Sequence, residues 1–291
     1  MSSVTIIDSP KEMYRWTRRQ QADGQVVGLV PTMGALHAGH LSLVKAARNQ
    51  CDRVVVTIFV NPTQFGPHED FDRYPRTLNA DVELLGELGV DCVFAPSVEG
   101  MYPSGCTTSI APPGVAKPLE GVSRPGHFAG VCTVVLKLFQ IIPADLACFG
   151  QKDFQQALVI KHMAQDLNVG TQIEICPTLR EPDGLAMSSR NAYLNEIDRD
   201  RALCLSRALK RVGAELRQGV KAPEKIEAAM QAELSPFIDQ LDYAVVVDPE
   251  TLECPATING PVVGLIAVHI GGTRLIDNSV YTETGEPTFS I

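Results

Sequence analysis

Short apolar runs alternating with helix-patterned segments constrain this chain more than any other feature. Residues 26–30 (VVGLV), 54–60 (VVVTIFV), 92–94 (CVF) and 146–149 (LACF) each read as a short strand, 26–30 as buried and 54–60 with the pattern of a strand covered on both faces. Between them, residues 40–50, 78–88 and 154–167 carry apolar residues at helical spacing, Leu78, Val82, Leu85 and Leu88 among them. Ser9-Pro10-Lys11-Glu12 opens an earlier helix, with a capping-box pattern and proline at its first position. Strands that alternate with helices in this way predict an α/β fold with a parallel, doubly wound, Rossmann-like sheet.

Two segments break the rhythm. Residues 111–130 are rich in proline and glycine, and a loop of that length in a compact domain is usually functional or disordered. Residues 179–191 (LREPDGLAMSSRN) read as a polar, flexible connection. Beyond them Leu205, Leu209, Val212 and Leu216 mark one amphipathic helix and Ile226, Met230 and Leu234 another. Strands at 243–247 and 262–270 follow with no long helix between them. A boundary near residue 180 is therefore expected: residues 1–180 as the Rossmann-like domain and 181–291 as a smaller α+β domain.

Composition narrows the function classes. The formal net charge is −9 with no long basic run, so nucleic acid is a poor partner, because phosphate neutralisation supplies most of that affinity. No apolar stretch reaches the roughly 20 residues that span a bilayer. The N-terminal residues lack the order of a secretion signal. The eight cysteines form no CxxC pair, which fits reduced thiols in a cytoplasmic protein.

The chemistry concentrates at residues 31–44, PTMGALHAGHLSLV, where a strand exits into a helix. That junction is where α/β sheets bind phosphates. His37 and His40 are three apart and share a face on a helical first turn, so both can donate to an anionic phosphate. A metal is the rival occupant, but HxxH lacks the acid and third ligand of a zincin site. Farther along, Ser188, Ser189 and Arg190 combine two hydroxyls and a guanidinium, a set suited to developing pyrophosphate charge.

HAGH resembles the HIGH signature of the nucleotidyltransferase and class I aminoacyl-tRNA synthetase superfamily, and MSSRN (187–191) resembles its KMSKS element. PTMGALHAGH, FVNPTQF (59–65), YPRT (74–77), RPGHFAGV (124–131), GQKDFQQ (150–156) and MSSRN together resemble the pantothenate synthetase (pantoate–β-alanine ligase) family, in family order over more than half the chain. The resemblance implies that ATP activates pantoate as an enzyme-bound pantoyl-adenylate, which β-alanine then converts to pantothenate, with AMP and pyrophosphate released.

Carried over by motif, the resemblance assigns His37, His40, Lys152, Ser188, Ser189 and Arg190 to catalysis. Met33, Gly150, Asp153 and Met187 join them around ATP, with Asp153 on the ribose. Asn61, Gln64 and Gln156 fall to pantoate, and Arg124 and His127 to a lid. The smaller domain is expected to close over the site. Magnesium is implied because ATP brings it, with Asp81 as a candidate ligand; Ala80 stands where a second carboxylate would complete a pair. A homodimer is a further implication. Two rivals stay open. Another nucleotidyltransferase would share HAGH without needing Gln64 and Gln156. A catalytically inactive nucleotide-binding protein would be favoured by loss of a histidine or of the Ser-Ser-Arg loop, and all are intact.

Overall fold

The computed structural model describes residues 4–67 and 69–288. Contacts divide the chain into two units: residues 1–150 with 155–176, and residues 151–154 with 177–291.

The larger unit holds a six-stranded sheet of β1 (Thr5–Ile7), β2 (Val27–Thr32), β3 (Arg53–Ile58), β4 (Cys92–Phe94), β5 (Leu146–Gly150) and β6 (Gln172–Cys176). Their spatial order is β1-β4-β3-β2-β5-β6, and every pairing is parallel. The order reverses at β2, which makes its C-terminal end the topological switch point where open α/β sheets bind ligands. The apolar runs predicted as strands coincide with β2 to β5, with β2 buried from Val27 to Val30 and β3 from Val54 to Thr57. Helices α1 (Pro10–Ala22), α2 (Ala38–Arg48), α3 (Leu78–Glu87), α4 (Val98–Met101), α5 (Glu120–Ser123), α6 (His127–Ile141) and α7 (Phe154–Asp166) connect the strands. The Ser9 side chain caps α1 by accepting the Glu12 N–H at 3.4 Å.

Three features of the larger unit differ from the sequence expectation. Edge strands β1 and β6 are additional; β1 is three residues long and β6 (QIEIC) is half exposed, so neither presents an apolar run. The segment 111–130 is not an open loop: it carries a 3-10 turn at Gly114–Ala116, then α5, and α6 begins at His127.

The smaller unit is α+β. Its antiparallel sheet runs β10-β9-β8-β7, from β7 (Gln240–Val247), β8 (Val262–Ile270), β9 (Thr273–Tyr281) and β10 (Pro287–Thr288). Helices α8 (Glu196–Arg217) and α9 (Pro223–Leu234) complete it. Leu205, Leu209, Val212, Ile226, Met230 and Leu234 share one buried core with Val246, Ile266 and Val268. Strand β9 was not anticipated. It pairs with β8 through the Gly271-Gly272 turn, where φ values of 57° and 76° suit glycine.

Candidate active site

Strand β2 ends at Thr32, and the chain must turn sharply to start α2. Gly34 takes φ 84°, and a Cβ there would lie 3.0 Å from Ile58 and 3.1 Å from Asp81. Ala35 follows at φ 51°, a conformation that needs outside support. Asp81, on α3 and 2% exposed, provides it. One carboxylate oxygen accepts the Leu36 N–H at 2.9 Å, and the other accepts the Ala35 N–H and the Thr77 hydroxyl, each at 3.0 Å. The candidate metal ligand thus has both oxygens engaged by the loop. Among the described residues no group of three His, Cys, Asp or Glu side chains could hold a metal ion.

The two histidines come together at the first turn of α2, with ring centroids 4.1 Å apart. His37 is the N-cap: its Nδ1 accepts the Gly39 N–H at 3.1 Å, while His40 Nδ1 accepts the His37 N–H at 3.3 Å. With both Nδ1 atoms acting as acceptors, the N–H of each ring lies on Nε2. A helix cap has thereby fixed two imidazoles as Nε2–H donors, at a helix end that favours anions.

The turn after β3 is built around Asn61, which is 1% exposed. Its Oδ1 accepts the Thr63 hydroxyl at 3.0 Å and the Tyr102 hydroxyl at 2.8 Å, and its amide donates to Gln64 Oε1 at 3.1 Å and Gly130 O at 3.3 Å. Gln64 in turn donates to Met33 Sδ at 3.3 Å. Asn61 therefore shapes the turn and aims Gln64; its own amide is fully engaged. Gly130 of α6 makes the packing possible, since a Cβ there would sit 2.3 Å from Thr63 O. Sequence reasoning missed Tyr102 and the reason for Gly130.

Arg124 and His127, expected in a lid, are pinned inside the larger unit. Arg124 forms a two-pronged pair with Glu69 at 2.6 and 2.7 Å and contacts His127 Nε2 at 3.0 Å. His127 Nδ1 donates to Gln64 O at 2.9 Å. Burial, seconded by the Arg124 charge, pushes the His127 imidazole down to about 4, although the Gln64 carbonyl bond works the other way. Burial works to raise the Glu69 carboxyl, but the hydrogen bonds and charge of Arg124 outweigh it and hold it low.

The sign of the pH effect follows. Unfolded His127 takes up a proton near 6.5 and folded His127 only near 4, so its contribution is complete above about 6.5 and is lost as pH falls to 4. That loss amounts to roughly 3 kcal/mol at most. Glu69, held low, loses its contribution on further acidification, so the two effects share a sign. Thermal unfolding of wild type and His127→Gln between pH 7 and 4 checks this; the variant is expected to show the shallower decline, and parallel curves would refute it.

On the other glutamines of the larger unit the structure is specific. Gln155 is a structural anchor, donating to Val115 O and Pro118 O at 2.8 Å and accepting the Glu120 N–H at 3.0 Å. Gln156, its neighbour on α7, is partly exposed. Gly150 ends β5.

In the smaller unit, Lys152 and Asp153 lie on the 3-10 turn Gln151–Asp153, with Lys152 half-buried and Asp153 exposed. The segment predicted as a flexible connection is an ordered hairpin. Arg180 bridges to Ala186, and backbone bonds join Glu181 to Leu185 and Met187 to Leu179. It delivers Met187 to Ser188, whose hydroxyl caps the 3-10 turn Ser189–Tyr193 by accepting the Arg190 N–H at 3.2 Å.

The larger unit carries a Rossmann-like sheet with an HxxH helix start at its switch point and the smaller unit carries a Ser-Ser-Arg turn, features that resemble an enzyme of the HIGH-motif nucleotidyltransferase class. Within that class the chain matches the sequence profile of the pantoate–β-alanine ligases over residues 5–280, and it belongs to that family, a family of ligases. It is 52% identical over 281 residues to a pantothenate synthetase of Rhodopirellula baltica, covering 96% of this chain and 98% of that relative. A crystal structure of pantothenate synthetase from Thermus thermophilus superposes with a TM-score of 0.90 at 42% identity, over 94% of this chain and 98% of that one. A pantoate–β-alanine ligase from Francisella tularensis, complexed with β-γ ATP and β-alanine, gives 0.78 at 37% identity, over 96% and 98%.

Proposed function

We propose that this enzyme condenses pantoate with β-alanine in two steps through a pantoyl-adenylate. A pantoate carboxylate oxygen attacks the α-phosphorus of ATP, the bond to the β-phosphate oxygen breaks, and pyrophosphate leaves. The β-alanine nitrogen then attacks the acyl carbon, the bond to the AMP oxygen breaks, and the amine sheds a proton. Neither step needs a protein nucleophile, so catalysis rests on positioning and on stabilising developing charge.

The observation that carries this reading is the histidine pair, capped through Nδ1 so that Nε2–H is the donor, at an anion-favouring helix start. In it His37 and His40 donate to the triphosphate, Lys152 neutralises phosphate charge, and Asp153 holds the ribose. Ser188, Ser189 and Arg190 receive the pyrophosphate, with Met33, Gly150 and Met187 lining the nucleotide. Gln64 and Gln156 bind pantoate, Asn61 acting by holding Gln64. Arg124 and His127 serve as a clamp on the Gln64 turn instead of a free flap. The Francisella relative's complex with β-γ ATP and β-alanine supports both the nucleotide and the amine.

Magnesium carried by the ATP phosphates would offset their charge, and Asp81 is kept to the loop by its three hydrogen bonds. A cytoplasmic homodimer completes the proposal. Among the described residues no helix is long and apolar enough to cross a membrane.

Pyrophosphate exchange into ATP, with pantoate present or absent and β-alanine omitted, tests the reading. Exchange that depends on pantoate is expected. ATP binding without exchange would send the search to other acids and phosphorylated acceptors.

A further inference from the structure

We infer that Asn278, together with its neighbour Asp277, is the positioning device that sets both nucleotide-contacting segments of the smaller unit. The inference rests on the reading above, in which Lys152, Asp153 and the Ser188–Arg190 turn act on ATP. Both residues lie on β9, where successive side chains leave on opposite faces, so one dipeptide can reach in two directions.

Asn278 is 2% exposed and grips the 151–153 turn at three points. Its amide nitrogen donates to Gln151 O at 2.9 Å and to Lys152 O at 2.8 Å, and its Oδ1 accepts from Gln151 Nε2 at 3.2 Å. Two donors and an acceptor on one short planar group are what asparagine alone supplies at this length. The backbone that carries Lys152 and Asp153 is thereby fixed by a strand more than a hundred residues away.

Asp277 is 3% exposed and secures the hairpin. Its two oxygens accept from Arg180 Nη1 at 2.7 Å and Nη2 at 3.0 Å, and one also accepts the Asn278 N–H at 2.8 Å. Arg180 passes the restraint on, donating to Gly184 O and to Asn278 O, each at 3.1 Å. The opposite limb of the hairpin, starting at Ala186 across from Arg180, runs into Met187 and Ser188. Stability alone does not call for this arrangement, because apolar replacements of buried ion pairs are often neutral or stabilising. Geometry does call for it: a misplacement of about 1 Å at a reacting centre can cost on the order of a hundredfold in rate.

The test compares Asn278→Asp, which keeps shape and acceptor but sets a carboxylate against two carbonyls, with Val268→Ala in the core of β8. Val268 is fully buried and serves as the control for lost stability. Binding of α,β-methylene ATP is measured by calorimetry and pantoate-dependent exchange is followed alongside. Asn278→Asp is expected to weaken analogue binding by about tenfold, to lower kcat/KM for ATP at least as much, and to leave the pantoate KM within about twofold. In a Lys152→Met background it is expected to add little, because residues acting as a unit are non-additive. Val268→Ala should lose thermal stability yet bind like wild type.

Wild-type analogue binding by folded Asn278→Asp, equal weakening by Val268→Ala, or full additivity with Lys152→Met would each overturn the inference. Arg180→Lys, which keeps the charge but cannot span both Asp277 oxygens, reads the hairpin arm if Asn278→Asp does not fold. Its expected result is the same weakening, and wild-type binding overturns that arm. A wild-type enzyme that binds the analogue but shows no pantoate-dependent exchange fails the acyl-adenylate reading alone. One that does not bind the analogue at all fails both.

Discussion

Replacing His40 by alanine is expected to slow pantoate-dependent pyrophosphate exchange at least tenfold while the protein stays folded. His40 has two jobs that differ in size. As part of the cap it accepts the His37 N–H, and losing such a bond costs about 1 kcal/mol of helix stability. As an Nε2–H donor to the reacting phosphates it is worth about 3 kcal/mol, roughly a hundredfold in rate. The second effect dominates, so activity should fall far more than stability does. His40→Gln separates the two, since glutamine at this helix position also reaches back to the N-cap N–H. Its melting temperature should recover toward wild type and its exchange rate should not. Exchange at the wild-type rate in His40→Ala would remove His40 from the mechanism.

Asp81→Asn is the second change expected to act strongly, and it separates two roles for that residue. The carboxylate accepts two backbone N–H groups and a hydroxyl in a buried site. An amide of the same size turns an NH2 toward at least one of those donors. Bonds to a charged acceptor contribute about 1.5–3 kcal/mol each, so the variant should melt several degrees lower, at roughly 2–4 °C per kcal/mol. Because Ala35 is held at a positive φ just ahead of His37, the loop would relax and exchange should fall at least about tenfold. Excess magnesium should not restore it. A metal ligand would behave the other way, with stability little changed, a raised magnesium requirement and recovery at high magnesium.

The parallel sheet was readable because buried parallel strands announce themselves as unbroken apolar runs: β2, β3, β4 and β5 all lie in such runs. The strands that escaped notice share a reason. Edge strands β1 and β6 are short or half exposed, and β9 carries Arg274, Asp277 and Asn278 through its length. Polar residues inside a strand hide it from any hydrophobic pattern. In β9 Asp277 and Asn278 make the bonds that hold the 151–153 turn and the 179–191 hairpin.

His37, His40 and the Ser188–Arg190 turn are candidates on residue type and local order, because the chemistry of a phosphate site is written in short motifs at strand exits, whereas Gln64 and Lys152 are candidates through the family resemblance. Sequence by itself thus determined the α/β frame, the family resemblance and the groups that could meet a nucleotide. Tertiary structure alone decided what holds those groups: Asp81 on the Leu36 N–H 45 residues away, Glu69 on Arg124 at 55, and Asn278 on Gln151 at 127. A hydrogen bond across such separations leaves no period or spacing in the chain, since it depends only on where folding brings the two atoms.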